Sequence, residues 1–175
     1  MVSSYWSKRD ARTTPGALSK RGYVYQGSVE RSIANGASAS AQMATGDVPT
    51  VVYLRESVSS ADVVRFRVWN TTATSGASGS AVGFNLNNTI TTSASASQAI
   101  LSASVTAASV TNLLADDLVP GGNKAGGVVA CNKVRTLKPN STYLLEMVNV
   151  GNNSTLAHIT LVWSENEPEP YTQID

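Results

Sequence analysis

The chain has one cysteine and one histidine. A single thiol cannot close an internal disulfide, and one imidazole with one thiol is too small a set of soft ligands for a structural zinc. Charge is also sparse: 14% of the residues are Asp, Glu, Lys or Arg, against roughly 25% in ordinary soluble domains. Much of the surface is therefore expected to be neutral and polar, or covered by another chain. With a net charge of +1, no nucleic-acid partner is expected, because that grip needs clustered Lys and Arg on a clearly basic background. The longest apolar stretches, such as Val51-Val52-Tyr53-Leu54, fall far below the roughly 20 residues that cross a bilayer, so no membrane partner is expected. The opening MVSSYWSKRD is polar where an export signal needs a continuous apolar run. The expectation is synthesis in the cytoplasm and retention there, or in something assembled there.

What the chain does have is Ser, Ala and Thr, about a third of all residues, which favours strands and loops over long charged helices. Its length of 175 residues fits one domain with extensions. Charge divides unevenly along it. Residues 1 to 31 carry a net +4, from Lys8, Arg9, Arg12, Lys20, Arg21 and Arg31 against Asp10 and Glu30. The last eleven residues carry −4, from Glu165, Glu167, Glu169 and Asp175. The segment after Tyr5 and Trp6 has no hydrophobic period and is broken at Pro15-Gly16, so residues 1–22 read as an arm with little fold of its own. Exposed aromatics in such an arm favour docking on a partner. Tyr5, Trp6, Lys8, Arg9, Arg12, Lys20 and Arg21 are its candidate binding residues. Residues 166–175, punctuated by Pro168 and Pro170, read as an extended acidic tail.

Residues 23–165 follow a period of two. In Val63 to Trp69, Val64, Phe66 and Val68 share one face while Arg65 and Arg67 point the other way, as a half-buried strand requires. Tyr143 to Val150 sets Tyr143, Leu145 and Met147 on one face with Glu146 opposite, and Leu156 to Trp163 alternates Ile159, Leu161 and Trp163 against His158 and Thr160. The turn-forming residues Gly151 to Thr155 between these two runs predict a β-hairpin. Weaker strands are predicted over Gly22–Ile33, Thr50–Glu56, Ala81–Leu86, Ile100–Ala107 and Gly127–Thr136. Thr91 to Ser109 reads as a thin strand or a surface loop, and Leu113, Leu114 and Leu118 stand at a spacing that admits one helical turn. Short strands separated by Gly, Asn and Ser indicate an all-β sandwich or barrel.

The residues that carry chemistry are few. His158 falls inside a strand, where the expected role is a hydrogen-bonded or solvated side chain on the polar face rather than a catalytic base. Cys131 follows Val128-Val129-Ala130 and reads as a small buried hydrophobe. Asp116 and Asp117 are adjacent, so in a strand they point apart, against a metal site. Glu146 is expected to pair with Arg65 or Arg67 across a sheet. Gly121 to Gly127 lacks the Gly-Lys-Ser/Thr ending of a phosphate loop. No catalytic residue, cofactor or metal is expected, and the chain is not expected to be an enzyme.

Val128 to Thr136, followed by Leu137-Lys138-Pro139-Asn140-Ser141-Thr142-Tyr143-Leu144-Leu145, Val148-Asn149 and a closing strand Ile159 to Trp163 with Glu165 after it, resembles small jelly-roll virion proteins of tailed bacteriophages. The glycine-rich crossing Gly121 to Gly127 and the asparagine-rich Phe84 to Asn88 add to the resemblance, which spans about residues 50 to 165. It implies a single jelly-roll-like antiparallel β-sandwich over residues 23–165 and a structural role: a decoration or cement protein on the outer capsid, partnered by the major capsid protein and by its own copies as a dimer or trimer. The basic arm, residues 1–22, departs from the family's pattern. A tail or head-tail adaptor of the same virion is the alternative, as is a receptor- or glycan-binding module with Trp69 and Trp163 as candidate stacking platforms.

Overall fold

The computed structural model describes residues 24–47, 50–81, 84–85, 97–105, 107–121, 127–131 and 135–165. Among these the only regular elements are strands: β1 (Val24–Ile33), β2 (Ser38–Ala44), β3 (Thr50–Ser60), β4 (Val64–Ser75), β5 (Ser78–Ala81), β6 (Phe84–Asn85), β7 (Ile100–Ser104), β8 (Ala107–Val119), β9 (Gly127–Cys131), β10 (Arg135–Leu137), β11 (Thr142–Asn149) and β12 (Thr155–Glu165). They form two antiparallel sheets. In the first the order is β10-β3-β12-β1-β6, with β9 also on β3; in the second it is β5-β7-β2-β11-β4-β8.

One core joins the sheets. Tyr25, Val29 and Ile33 of β1 and Ala157, Ile159, Leu161 and Trp163 of β12 meet Ala41, Met43, Phe66, Val68, Leu101, Tyr143, Leu145 and Met147 of the other sheet. The two-residue period creates this core: every second side chain of β1, β4, β11 and β12 turns inward, where burial stabilises by roughly 25 cal/mol per Å² of apolar surface. The Trp163 indole is its largest fully buried side chain. It lies opposite Tyr25 in register, with ring centroids 6.1 Å apart. Space for it comes from Gly27, where an added Cβ would stand 3.2 Å from the indole and 3.1 Å from Leu101.

The strongest alternations became β4, β11 and β12, with Phe66 and Val64 fully buried as the pattern requires. Three readings are corrected. The predicted hairpin does not form: β11 pairs with β2 and β4, whereas β12 pairs with β1 and β3 in the opposite sheet. The Gly151–Thr155 connector is therefore a crossing between layers. Asn149 fixes it, its Nδ2 reaching Ile33 O, Ala34 O and Asn153 O while its Oδ1 accepts from Gly151 N. The single helical turn over Val110–Leu118 is also absent, because that stretch belongs to the long strand β8. Gly127–Thr136, read as one strand, supplies two, β9 and β10, which pair with successive parts of β3. β2 was not foreseen at all.

The register of β8 explains the misleading spacing. Trp69 pairs with Leu113 although Val68 pairs with Ala115, and Thr71 pairs with Val110 although Asn70 pairs with Asn112. Each of these two irregularities inserts one extra residue into β8, as β-bulges do, while a third, between Thr71 and Ala73, inserts one into β4. The residues opposite Thr71, Trp69, Arg67 and Arg65 are consequently Val110, Leu113, Asp116 and Leu118. Spacings of three, three and two in sequence thus lie along one face of a bulged strand.

Candidate functional site

The outer face of the sheet that ends in β8 gathers most of the polar residues singled out in the sequence. Alternation turns Arg65, Arg67 and Trp69 outward from β4, with Leu144, Glu146 and Val148 beside them on β11. Arg67 Nη1 stands 3.5 Å from Glu146 Oε2, and Asp116 lies between the two arginines, 3.7 Å from Arg65 Nε and 3.6 Å from Arg67 Nε. Trp69 Nε1 donates to Glu146 Oε2 at 3.1 Å. Glu146 thus pairs with Arg67, one of its two expected partners, while Arg65 serves Asp116. All four groups retain solvent contact, so each ion pair is worth about 0–1 kcal/mol; together they fix side-chain positions and leave this row electrically balanced. Leu144, opposite Trp69 in register, is buried without belonging to the core.

Beside this row β8 displays the feature the sequence reading missed. Val110, Leu113, Leu114 and Leu118 are 43%, 46%, 44% and 56% exposed, all on one strand. β8 forms one side of its sheet in the strand order. Four half-exposed large apolar side chains on one strand are an unusual concentration of exposed apolar surface, of the kind that marks contact surfaces. The signal was present in the sequence as an apolar run beside Asp116-Asp117, but its spacing pointed to a helix.

Two further polar centres hold the molecule's ends. Glu165, the last residue of β12, is buried. Its Oε1 accepts from the Ser97 hydroxyl (2.6 Å), Ala99 N (2.9 Å) and Trp163 Nε1 (3.0 Å), and its Oε2 accepts from Gln98 N (2.7 Å). The sequence reading counted Glu165 among the four acids of the last eleven residues and as the acid after the closing strand; the structure makes it an internal anchor for the 97–99 turn. At the other end Asp62 Oδ1 accepts from Val63 N at 2.7 Å, and Oδ2 accepts from Asn152 N (3.1 Å) and Asn153 N (2.9 Å). These hydrogen bonds, that from Val63 foremost, hold its carboxyl below the usual carboxylate value of 3.8. The close approach requires Gly151, since a Cβ there would overlap the Asp62 carboxylate.

The Lys138–Tyr143 turn closes on itself and on Thr45, the residue after β2. Lys138 N donates to the Tyr143 hydroxyl at 2.8 Å, the Thr45 hydroxyl donates to Lys138 O at 2.7 Å, and Asn140, at φ 48°, adopts the left-handed conformation that Asn tolerates. His158 is half-buried on the outer side of β12, between Glu30 and Ser59 in register. Cys131 ends β9 opposite Glu56. Asp117 faces the Phe66 side of β4, away from Asp116, as adjacent strand residues must. Among the described residues no group of three or more His, Cys, Asp or Glu is placed to hold a metal ion, and no helix is long and apolar enough to cross a membrane. The arm residues Tyr5, Trp6, Lys8, Arg9, Arg12, Lys20 and Arg21 lie outside the described residues.

No family model, no curated protein and no solved structure matches this chain.

Proposed function

We propose that the chain is a structural component of a tailed-bacteriophage particle: a decoration or cement protein with a jelly-roll sandwich, which binds the outer capsid and stabilises contacts between major capsid subunits. The observation that carries this reading is the strand order. Leaving aside the short β5, β6 and β7, one sheet runs β1-β12-β3 with β9 and β10 beside β3, and the other runs β2-β11-β4-β8. Successive strands β1, β2, β3 and β4 alternate between the sheets, and so do β8, the β9–β10 pair, β11 and β12. Two interlocked antiparallel sets of this kind are how a jelly roll is wound, and that architecture recurs in capsid domains.

The surface chemistry favours adhesion over turnover. The carboxylates of Glu146, Glu165 and Asp62 are each engaged in structural hydrogen bonds or ion pairs, and β8 offers an apolar surface. Trp163, one of the two candidate platforms for a glycan, is fully buried, which weighs against the glycan-binding alternative. In this reading the arm of residues 1–22, rich in Lys and Arg, laces the domain to an acidic capsid surface, a contact that salt screens.

Purified chain added to empty particles of the virus concerned tests the proposal. Saturable binding that raises the temperature at which the particles disrupt is the expected result, with weaker attachment after deletion of residues 1–22. A chain that does not bind, or a truncated form that binds as tightly as the full chain, would count against the cement role or against the lacing arm respectively.

A further inference from the structure

The sequence contains one Asn-Gly pair, Asn35-Gly36, and it forms the tip of the turn between β1 and β2. Ala37 N donates to Ala34 O across the turn at 3.1 Å, and Gly36 takes the left-handed conformation at φ 69°. Both residues are exposed, and nothing stands within 4 Å of the place a Gly36 Cβ would occupy. Asparagine is labile because the next backbone nitrogen can attack its side-chain Cγ, so access to that nitrogen decides which asparagine reacts. At three other asparagines the nitrogen is engaged. After Asn140, Ser141 N donates to Thr45 Oγ1; after Asn149, Val150 N donates to Val63 O; after Asn152, Asn153 N donates to the Asp62 carboxylate. Among the described residues no acceptor takes the Gly36 N–H, and Gly36 has no side chain to shield it.

We propose that Asn35 is a site of spontaneous deamidation. Gly36 N attacks Asn35 Cγ and gives up its proton to solvent; the Cγ–Nδ2 bond breaks, and the side-chain nitrogen takes a proton from solvent and leaves as ammonia. Water then opens the five-membered imide at either carbonyl, giving aspartate or isoaspartate with no change of oxidation state. The product arises where the fold is sensitive to it. Asn35 Nδ2 donates to Asn152 O at 3.0 Å, an exposed contact that opens readily, and Asn152 N donates in turn to Asp62 Oδ2 at 3.1 Å. A carboxylate at position 35 has no proton to give Asn152 O, and the chain's net charge of +1 falls to zero. Isoaspartate also adds a methylene to the main chain of a tight turn. Conversion therefore loosens the tie between the β1–β2 turn and the crossing that joins β11 to β12. The inference goes beyond the particle-binding reading and does not depend on it, because the purified chain carries the test without any particle.

The experiment incubates the purified full chain at mildly alkaline pH, with and without urea, and follows its tryptic peptides by mass spectrometry over time. Trypsin releases Ser32 to Arg55 as one peptide, in which Asn35 is the sole asparagine. The expected result is that this peptide converts first in the folded chain, to a mixture of aspartate and isoaspartate. Gly36→Ala should slow the conversion on the order of tenfold or more, because a Cβ then shields the nitrogen. Alanine is strained at that φ, so circular dichroism checks the fold; should the variant unfold, Asn35→Gln decides, since its longer side chain closes only a slower six-membered ring and the peptide should stay unconverted. Asn35→Asp carries the product from the start, and its urea midpoint should lie below that of the parent chain. Earlier conversion of another asparagine overturns the assignment, as does a rate unchanged by these substitutions. Conversion in urea that is absent from the folded chain also overturns it, because the turn would then protect Asn35. An Asn35→Asp midpoint equal to the parent's overturns the loosening.

Discussion

A buried carboxylate usually needs a cation or a set of donors aimed at it, and Glu165 has the latter: three donors on Oε1 and one on Oε2. Glu165→Ala would strand those donors in a dry site, at roughly 1–3 kcal/mol for each that water cannot reach. A loss of about 3 kcal/mol in a urea melt is expected, with Glu165→Gln intermediate because its amide keeps one acceptor oxygen. A melt indistinguishable from that of the parent chain would mean water replaces the carboxylate. Asp62 makes a different prediction. Its carboxyl is held below 3.8 in the folded chain, so its ionised form contributes stability that is fully present above the ordinary carboxylate pKa and is lost as pH falls through the lowered value. The stability gap between the parent chain and Asp62→Asn should therefore be flat from neutral pH down to about 5 and close progressively below about 4. A gap independent of pH down to 2 would exclude the linkage. Neither role was legible in the sequence. Glu165 was recognised only as the acid after a closing aromatic, and Asp62 sits in a short turn whose partners, Asn152 and Asn153, are distant in sequence.

The strands themselves divide by how cleanly they alternate. β4 was legible residue by residue because Arg65 and Arg67 separate Val64, Phe66 and Val68, and the structure buries the apolar three. Phe66→Ala should cost about 3–5 kcal/mol as a core truncation; a thermal melt that barely moves would mean that the neighbouring strands collapse into the space. β2 was invisible because its inward residues include Ala41 beside Met43, and a strand made of small residues has no hydrophobic contrast to read. β8 was misread because Leu113, Leu114 and Leu118 do not alternate: Leu114 is the extra residue of the bulge between Leu113 and Ala115. The hairpin error has another origin: the length and composition of a connector do not tell a turn within a sheet from a crossing between sheets. That distinction is made by Asn149 and its contacts to the β1–β2 corner, a tertiary fact that alternation along one segment cannot contain.

At the scale of the whole molecule, the all-β class and the shared core followed from the period of two, whereas the pairing order did not. Period assigns a face to each residue and leaves the choice of neighbour open. Most pairings here join segments far apart in the chain, β1 with β12 and β2 with β11 above all, so folding is expected to be slow for a chain of this size, because loop closure must precede the gain from contact. The same arrangement gives the outer β8 face its setting: it lies on the strand farthest from β2 across β11 and β4, away from the strands that open and close the domain.

The position of β12 between β1 and β3, with Val24 opposite Ser164, has a consequence for biosynthesis. Translation runs from the amino end, so β1 and β3 leave the ribosome long before the strand that bridges them. Until then the nascent chain holds two pieces of one layer with the middle missing, and their unsatisfied backbone groups invite pairing with other nascent chains. A premature stop ahead of Thr155 would remove this bridging piece and so would be expected to yield insoluble polypeptide, not a shortened but working domain.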